Sequence, residues 1–502
     1  MEEQQEIIDK RTEKITAWFK NPYNLAFFSI MLFAIAIRLY YFVLTKNQPL
    51  WWDEAEYFML ARHWAGLSPH MGYLFDPVRQ FLNPLLMSVF FRITGVNEFL
   101  PRLLILILSI GSVLGTYYLG KEMFDKKIGL LSSFFMSVFW VNLFFSFRVL
   151  VDMHSLAFFT FSAFFFYKYF KNNKPKDLYL ASLLIGVGTL FKLSTAFLLP
   201  AIFLYLLMTE RLAFLKKKEI WIAAFIFVLT LSPYIIWGYY QFGEFILIKS
   251  PSSVAPDSYL WDGINHLKSY LILFPSYLSW LLLLVFILGL VSMYKLILGF
   301  DLLSKKGDDE LKKQLFLILI LIIPMILVSV MLDHTEDRYV LNSFPATFII
   351  SSIFIIKAFN FIKNKNKIFA IILLILLLGF AAQFQIKSSD GLIKNKINSY
   401  SEVKEAGIWI NQNSEPLDLV ATNSNPQIKY YANREIIQIP NTEEEFEEIL
   451  KSNPKLKYFV ISAIQKSPDW AYSYPQNKNL TAVNAYFADV EQKQPVLVIY
   501  KL

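Results

Sequence analysis

The chain has 502 residues, 55% of them hydrophobic and 18% charged, and its mean hydropathy is +0.43. This composition excludes an ordinary soluble protein and is typical of a protein that crosses a membrane several times. The absence of cysteine excludes disulfides, thiolate metal ligands and cysteine nucleophiles. A net charge of +8 would also suit a nucleic-acid partner, but the basic residues follow a membrane pattern, so we expect no nucleic acid.

Long apolar runs follow one another along most of the chain. Residues 1–22 precede them and are expected to be a charged cytoplasmic N-terminus, because the first apolar run is too long for a cleavable signal peptide. A membrane helix needs roughly 20 apolar residues, so the pattern predicts a mainly α-helical polytopic protein with about eleven transmembrane helices. They lie near residues 23–45, 99–120, 128–147, 153–170, 177–191, 194–209, 220–240, 270–297, 312–332, 340–361 and 367–385.

The basic residues predict the orientation of these helices. Alternate short loops carry at least three lysines or arginines, whereas the loops between them carry one or two. Because basic loops stay cytoplasmic, the N-terminus is predicted inside and the C-terminus outside. Residues 46–98 then form one large outer loop. Its stretches 54–65 and 81–94 are expected to be amphipathic helices at the interface, since a span at 81–94 would move the later lysines outside.

After the predicted transmembrane catalytic domain, residues 23–385, the composition changes to that of a small extracytoplasmic α/β domain, residues 386–502. Capping-box spacing at Ser399 with Glu402 and at Thr442 with Glu445 predicts two helix starts. Alternating strands and helices favour a small, mostly parallel sheet with a structural or acceptor-facing role. The predicted strands are residues 417–423, 434–440, 457–464 and 495–502.

Chemistry-bearing side chains gather on the predicted outer side of the membrane. All five histidines lie there, and so do the acidic residues nearest to the membrane. We therefore expect the function to reside on the outer face. The histidines are His63, His70, His154, His266 and His334, and the acidic residues are Asp53, Glu54, Glu56, Asp76, Asp152, Asp333, Glu336 and Asp337.

Three isolated cations, Arg148, Lys192 and Arg338, lie on the side that basic residues normally avoid. Each has a simpler interpretation. Arg148 could form an ion pair with Asp152, and Lys192 could extend its side chain to the interface. Arg338 could form an ion pair with Glu336 or Asp337. Lys192 follows only about fourteen apolar residues, so it is expected near the hydrocarbon edge, where a lysine needs an anionic partner.

Together, the isolated cations and carboxylates suit a reaction at a lipid phosphate. A sugar on a polyprenyl phosphate has its tail in the bilayer and its anomeric carbon at the surface. Cations would stabilise the charge that accumulates on the phosphate as it leaves. A carboxylate would take the proton of an acceptor hydroxyl, and attack on the opposite face would invert the anomeric carbon.

Several stretches resemble the GT-C glycosyltransferases, specifically family 39 with its protein O-mannosyltransferases and lipid A aminoarabinose transferases. That family carries an Asp-Glu pair after its first span, similar to Asp53 and Glu54 in the stretch WWDEAEYFMLAR. It also carries an outer Arg-x-x-x-Asp, similar to Arg148 and Asp152. The remaining similar stretches are LGKEMFDKKIGLL (119–131), GVNEFLPRLL (95–104) and the RY of residues 338–339 before Pro345.

The resemblance implies a role for each matched residue. Asp53 would be the base, with Glu54 supporting it, and Asp152 would help to place acceptor or donor. The lipid phosphate would be contacted by Arg148, Lys192 and Arg338. The substrate would be positioned by Tyr57, Arg62 and Tyr339.

A divalent metal is the one cofactor that the residues leave open. Carboxylate and imidazole ligands of the required type could come from Glu54, His154 and His334. The alternative is that these are ordinary interfacial residues, because no pair among them has a clear ligand spacing.

The sequence therefore predicts an inverting glycosyltransferase in the plasma membrane. It would transfer a sugar from a polyprenyl-phosphate donor to a protein, lipid or glycan acceptor on the outer face. Three alternatives stay open: an oligosaccharyltransferase-like transfer of a preassembled glycan, a transporter or flippase, and a membrane scaffold whose C-terminal domain binds a partner.

Overall fold

The computed structural model describes residues 2–68, 71–72, 80–243, 259–298, 309–332, 334–487 and 494–502. Three residues of the predicted outer set, His70, Asp76 and Asp333, lie outside these ranges. The chain divides into two compact units, Met1–Leu44 with Pro77–Phe81 and Arg102–Leu392, and Thr45–Asp76 with Leu82–Pro101 and Ile393–Leu502. The domain boundaries expected from the sequence, at residues 22 and 385, stay predictions.

Most described residues are helical. In chain order the helices are α1 (Glu2–Lys20), α2 (Pro22–Thr45), α3 (Trp52–Trp64), α4 (Leu82–Thr94), α5 (Phe99–Met123), α6 (Lys126–Val138), α7 (Trp140–Phe145), α8 (Asp152–Asn172), α9 (Pro175–Phe191), α10 (Leu198–Glu210), α11 (Lys218–Phe242), α12 (Tyr259–Val291), α13 (Tyr294–Leu298), α14 (Asp309–Met331), α15 (Phe344–Lys363), α16 (Lys367–Lys396), α17 (Ser401–Asn413), α18 (Asn425–Ala432), α19 (Glu443–Ser452) and α20 (Asp469–Asn477).

The predicted membrane helices are present as helices. Within the described residues, eight helical segments are long and apolar enough to cross a membrane. They are Pro22–Thr45, Phe99–Met123, Leu193–Glu210, Lys218–Phe242, Asp262–Leu296, Asp309–Met331, Leu341–Lys363 and Lys367–Asn413. The other three predicted spans are α6 with α7, α8 and α9, which are shorter or less apolar. The prediction of a mainly helical polytopic membrane protein is confirmed.

One predicted span is broken in the middle. Phe139 leaves the helical region between α6 and α7, with ψ at 117°. The break frees backbone groups that need other partners. The carbonyl of Ser137 accepts a hydrogen bond of 3.0 Å from Nη1 of Arg38, and the N–H of Trp140 donates to Oε1 of Gln385 at 2.9 Å.

Arg38 of α2, which the sequence analysis did not single out, is a fully buried cation held by neutral groups. Its Nε donates to Oγ of Ser109 at 2.7 Å, and its Nη2 donates to Oδ1 of Asn142 at 2.6 Å. A guanidinium has five donors in a planar fork, so several neutral acceptors can satisfy it together. Arg38 therefore stabilises the break that leads into α7.

The second unit contains helices α3 and α4, at the positions where the sequence predicts amphipathic helices. Their location at the membrane interface stays a prediction. The unit also contains a five-stranded sheet made of β1 (Leu419–Ala421), β2 (Glu435–Ile437), β3 (Leu456–Ser462), β4 (Thr481–Phe487) and β5 (Pro495–Lys501). The predicted α/β domain is thus confirmed as an α/β fold.

The relative direction of the strands differs from the prediction. The strand order is β2-β1-β3-β5-β4; β1 pairs in parallel with β2 and β3, whereas β5 pairs antiparallel with β3 and β4. The sheet is therefore mixed, not mostly parallel. The prediction missed β4, because residues 481–487 are half-exposed along an edge strand and lack a clear apolar alternation.

One of the two predicted helix caps is confirmed. The hydroxyl of Thr442 accepts a hydrogen bond from the N–H of Glu445 at 3.4 Å at the start of α19. The other is wrong, because α17 begins at Ser401 and its preceding residue is Tyr400, with φ at 70°. A left-handed Tyr400 turns the chain there, and Ser399 lies outside the helix.

Candidate functional site

The first unit brings together two residues that are forty positions apart in the chain. Helices α8 and α9 form a hairpin, so the start of α8 and the end of α9 meet. Asp152, the first residue of α8, is 2% exposed. Lys192 directly follows α9 in an extended conformation, with φ at −156°, and its Nζ donates to Oδ1 of Asp152. This carboxylate is an anionic partner of the kind that the sequence analysis expects for Lys192.

Arg338 is shared between two carboxylates. Its Nη1 lies 3.7 Å from Oδ2 of Asp152, while its Nε and Nη2 donate to the two oxygens of Glu336 at 2.5 and 3.2 Å. The pairing with Glu336 matches the simpler interpretation of Arg338, and the contact with Asp152 adds to it. Oδ2 of Asp152 is buried and accepts no hydrogen bond from any described residue.

Tyr339 lies against both cations. Its ring centroid is 4.9 Å from Nζ of Lys192 and 5.3 Å from Cζ of Arg338, within cation–π range. The hydroxyl of Tyr339 donates to Oε1 of Glu336 at 3.3 Å and lies 3.0 Å from Nε2 of His334. Burial raises the pKa of the Tyr339 phenol, so this side chain stays a neutral hydrogen-bond donor.

A layer of small polar side chains supports the three charged residues. Nδ2 of Asn342 donates to Oγ of Ser155 at 2.9 Å and to the carbonyl of Ser194 at 3.2 Å, and the hydroxyl of Thr195 donates to Ser155 at 3.0 Å. These residues lie on α8, on the turn after Lys192 and on the turn after Arg338. The network therefore links the three segments that carry the cluster.

The sequence analysis missed this network, although its members have a common signal. Each lies within one helical turn of a charged residue of the cluster: Ser155 after Asp152, Ser194 and Thr195 after Lys192, and Asn342 after Arg338. All four side chains are buried, so their hydrogen bonds stiffen the backbone that carries the cluster.

Arg148 lies in the segment between α7 and α8 and is 1% exposed. The neighbouring carbonyl of Phe147 accepts a hydrogen bond of 3.2 Å from the fully buried Arg102. The buried Arg102 thus holds this segment, which lies just before Asp152. The proposed contact of Arg148 with a phosphate stays a prediction.

The residues suggested as metal ligands do not form a ligand cluster. His154 is fully buried, with its ring stacked on Phe191 at 4.2 Å, and His334 contacts Glu336 at 3.2 Å. Glu54 belongs to the second unit. In the ranges that the structure describes, no group of three or more histidines and acidic residues is arranged to hold a metal ion.

The four other predicted residues lie on α3 of the second unit. Asp53 is half-buried in the first turn, while Glu54 is fully buried and accepts a hydrogen bond of 2.7 Å from the N–H of Trp51. Glu54 therefore caps the start of α3. Tyr57 is buried, and Nη1 of Arg62 donates to the carbonyl of Tyr430 at 3.3 Å. The roles expected for these residues stay predictions.

Comparison with known proteins shows what this architecture is similar to. Residues 79–237 match the model of the family described as dolichyl-phosphate-mannose-protein mannosyltransferase. The structure is similar to ArnT from Cupriavidus metallidurans bound to undecaprenyl phosphate, with a TM-score of 0.64 and 12% identity over 93% of this chain and 97% of that chain. Comparison with curated protein sequences gives no match.

The oligosaccharyltransferase of Archaeoglobus fulgidus is also similar. With a tethered acceptor peptide, its structure has a TM-score of 0.58 and 13% identity, over 89% of this chain and 70% of that chain. With an inhibitory peptide and a dolichol-phosphate, the TM-score is 0.58 and the identity 12%. The chain has the GT-C fold.

Together, the GT-C fold and the family match indicate that this membrane protein is a glycosyltransferase. The matched range 79–237 contains Arg148, Asp152 and Lys192, whereas Asp53 and Arg338 lie outside it. At 12% and 13% identity, these likenesses show the fold alone.

Proposed function

We propose that the protein transfers a sugar from a polyprenyl-phosphate donor to an acceptor hydroxyl, with inversion at the anomeric carbon. The observation that carries this proposal is the cluster at the start of α8, where Lys192 and Arg338 both reach the buried carboxylate of Asp152.

The two cations suit the donor phosphate. Arg338 offers a planar fork and Lys192 a point charge, which is a common pairing for phosphate recognition. As the bond between the anomeric carbon and the phosphate oxygen breaks, its electron pair goes to the phosphate. Positive side chains already held in place stabilise that charge without reorganisation. Asp152 and Glu336 neutralise the same two cations in the structure.

The acceptor needs a base, and Asp53 remains the best candidate. The resemblance seen in the sequence assigns this role to Asp53, and Glu54 caps the start of α3. In this proposal the acceptor oxygen bonds to the anomeric carbon, its proton goes to Asp53, and the polyprenyl phosphate leaves. Oδ2 of Asp152 would accept a hydrogen bond from a sugar or acceptor hydroxyl.

The similar structures support a polyprenyl phosphate as the donor lipid. ArnT is bound to undecaprenyl phosphate, and the archaeal oligosaccharyltransferase is in complex with a dolichol-phosphate. Both ligands share a phosphate on an isoprenoid chain. The predicted orientation would place the reaction and the C-terminal domain outside the plasma membrane.

Transfer of a preassembled glycan is the second candidate, and the likeness to the archaeal oligosaccharyltransferase favours it. The chain covers 70% of that protein and 97% of ArnT. Formation of a covalent product from a monosaccharide donor would support the transfer of a single sugar. Product from an oligosaccharide donor alone would decide for the second, and movement of lipid without product would indicate a flippase.

Binding of undecaprenyl phosphate to the purified protein tests the proposed phosphate site. Lys192→Ala and Arg338→Ala are each expected to weaken binding roughly tenfold to a hundredfold, because each removes a charge-assisted contact of about 1.5–3 kcal/mol. Lys171→Ala is the control, because that lysine pairs with Glu122 at the surface. Unchanged binding in both cluster variants would contradict the proposal.

Transfer of labelled mannose from polyprenyl-phosphate mannose, the sugar named by the family match, tests the base. Asp53→Asn should lower transfer by roughly a hundredfold to ten-thousandfold while leaving the binding of undecaprenyl phosphate intact, because it removes a proton acceptor and no cation. Wild-type transfer in that variant would exclude Asp53 as the base.

A further inference from the structure

Within the second unit, the segment that leads into α3 is held by α18, a helix of the C-terminal domain. Leu50, three residues before Asp53, is fully buried. Its N–H donates to the hydroxyl of Tyr431 at 2.9 Å, and its carbonyl accepts from Nε2 of Gln427 at 3.4 Å. Both backbone groups of Leu50 are thus bound by side chains of one helix, nearly four hundred positions away in the chain.

Tyr431 is itself fixed on several sides. Its hydroxyl donates to Oε1 of Glu98 at 3.4 Å, so the same oxygen accepts from Leu50 and donates to a carboxylate. Nζ of Lys404, on α17, lies 5.5 Å from the Tyr431 ring and donates to the carbonyl of Asn47 at 2.9 Å. A Cβ at Gly407 would lie 2.5 Å from Cβ of Tyr431, so α17 approaches this residue as closely as glycine allows.

The far end of α3 contacts α18 as well. Nη1 of Arg62 donates to the carbonyl of Tyr430, and the Tyr430 ring packs edge-on against Phe58 with centroids 5.4 Å apart. Beyond the helix, Oγ of Ser68 donates to Oδ1 of Asn433 at 3.1 Å. Contacts with α18 and the residue after it are therefore made before α3, within its second half and beyond its end.

Helix α3 has thirteen residues, and an isolated helix shorter than about 12–15 residues is marginally stable in water. Its position must therefore come from what it packs against. We propose that the C-terminal domain positions the Asp53 helix, and that Tyr431 and Gln427 are the positioning residues. This inference rests on the proposed function, in which Asp53 is the base. A displacement of about 1 Å in a catalytic group can cost a hundredfold in rate.

The test compares two tyrosine variants of the full-length protein. Tyr431→Phe removes the hydroxyl that holds Leu50, whereas Tyr458→Phe removes a hydroxyl that donates to the carbonyl of Asn413 inside the same domain. Tyr431→Phe should lower kcat for mannose transfer by tenfold to a hundredfold, with KM for the donor and the binding of undecaprenyl phosphate unchanged. Tyr458→Phe should keep the wild-type kcat at a similar or greater loss of Tm.

A double variant separates positioning from general destabilisation. If Tyr431 acts through Asp53, Tyr431→Phe should cost no further activity in an Asp53→Asn background, so the two losses are not additive. Equal loss of kcat in the two tyrosine variants, or additive losses in the double variant, would overturn the inference. A wild-type protein that transfers no sugar would instead contradict the proposed function, and wild-type kcat in Tyr431→Phe would contradict the positioning role alone.

Discussion

Asp152 is the residue around which the first unit's cluster is built. One carboxylate oxygen binds Lys192 and the other faces Arg338, although the side chain of Asp152 is only 1% exposed. A buried carboxylate is costly without a cationic partner. The pair is therefore a structural requirement of this arrangement as well as a candidate site.

Breaking that pair should be expensive. Asp152→Asn leaves two cations without their shared anion and is expected to cost about 3–5 kcal/mol of unfolding free energy. Adding Lys192→Met should recover part of the loss, because it removes the orphaned charge. Thermal unfolding in detergent measures both. The control Glu122→Gln breaks the exposed pair with Lys171 and should cost less than about 1 kcal/mol. No recovery in the double variant would contradict the coupling.

Asp337 provides a prediction on pH. Burial raises the pKa of its carboxyl and the neighbouring Glu336 adds to this, while the hydrogen bond from Tyr277, 3.0 Å long, lowers the pKa. A raised carboxyl pKa means that the fold disfavours the ionised form of Asp337. The free energy of unfolding therefore falls as the pH rises from the pKa of the unfolded chain, about 4, through the raised pKa of the folded protein.

Asp337→Asn removes that penalty and keeps an oxygen to accept from Tyr277. The variant should have a higher Tm than the wild type at pH 7, and the difference should shrink as the pH falls toward about 4. Thermal unfolding across this range measures the effect. A difference that is independent of pH would show that the ionised form is not disfavoured by the fold.

At the scale of elements, the α8–α9 hairpin depends on close packing near the site. A Cβ at Gly188 of α9 would lie 2.5 Å from Cγ2 of Thr195 and 2.7 Å from Cβ of Phe158. Neither atom is the far end of a flexible side chain. Glycine at this position therefore allows α9 to end where Lys192 meets Asp152.

The variant Gly188→Ala should separate the hairpin slightly and cost about 1–3 kcal/mol of unfolding free energy through overpacking. It should also weaken the binding of undecaprenyl phosphate, because Lys192 moves with the end of α9. The matched control is Gly379→Ala in α16, where a Cβ meets nothing within 4 Å and the change should be neutral or slightly stabilising. Equal stability of the two variants would contradict the packing argument.

At the scale of the whole molecule, the distribution of basic residues predicts the orientation in the membrane. The chain has no cysteine, so any introduced cysteine is the only label site. Lys365 follows α15 in a loop predicted inside, and Lys451 is an exposed residue of α19 in the domain predicted outside.

In intact cells, a membrane-impermeant maleimide should label Lys451→Cys at once and Lys365→Cys only after permeabilisation. The wild-type chain is the background control. The reverse pattern would invert the predicted topology and move the proposed reaction to the inner face. Labelling of both sites from one side would contradict the predicted helix count.

The sequence by itself determined the class of the protein, because a membrane helix is recognised by the length of a local apolar run. It also determined which charged residues stand out, since a lone cation such as Arg338 or Lys192 is unusual on the side of the membrane predicted to be outer. The capping role of Glu54 was within reach too, because Trp51 and Glu54 are only three positions apart.

Only the tertiary structure decided which charges meet. Lys192 and Asp152 are forty positions apart, and Leu50 meets Tyr431 across most of the chain. Such pairs form because distant helices pack side by side, and no local pattern encodes that packing. The direction of β5 and the neutral partners of Arg38 were missed for the same reason. Residue types and helix lengths are local properties, whereas the partners of a buried charge are set by the fold.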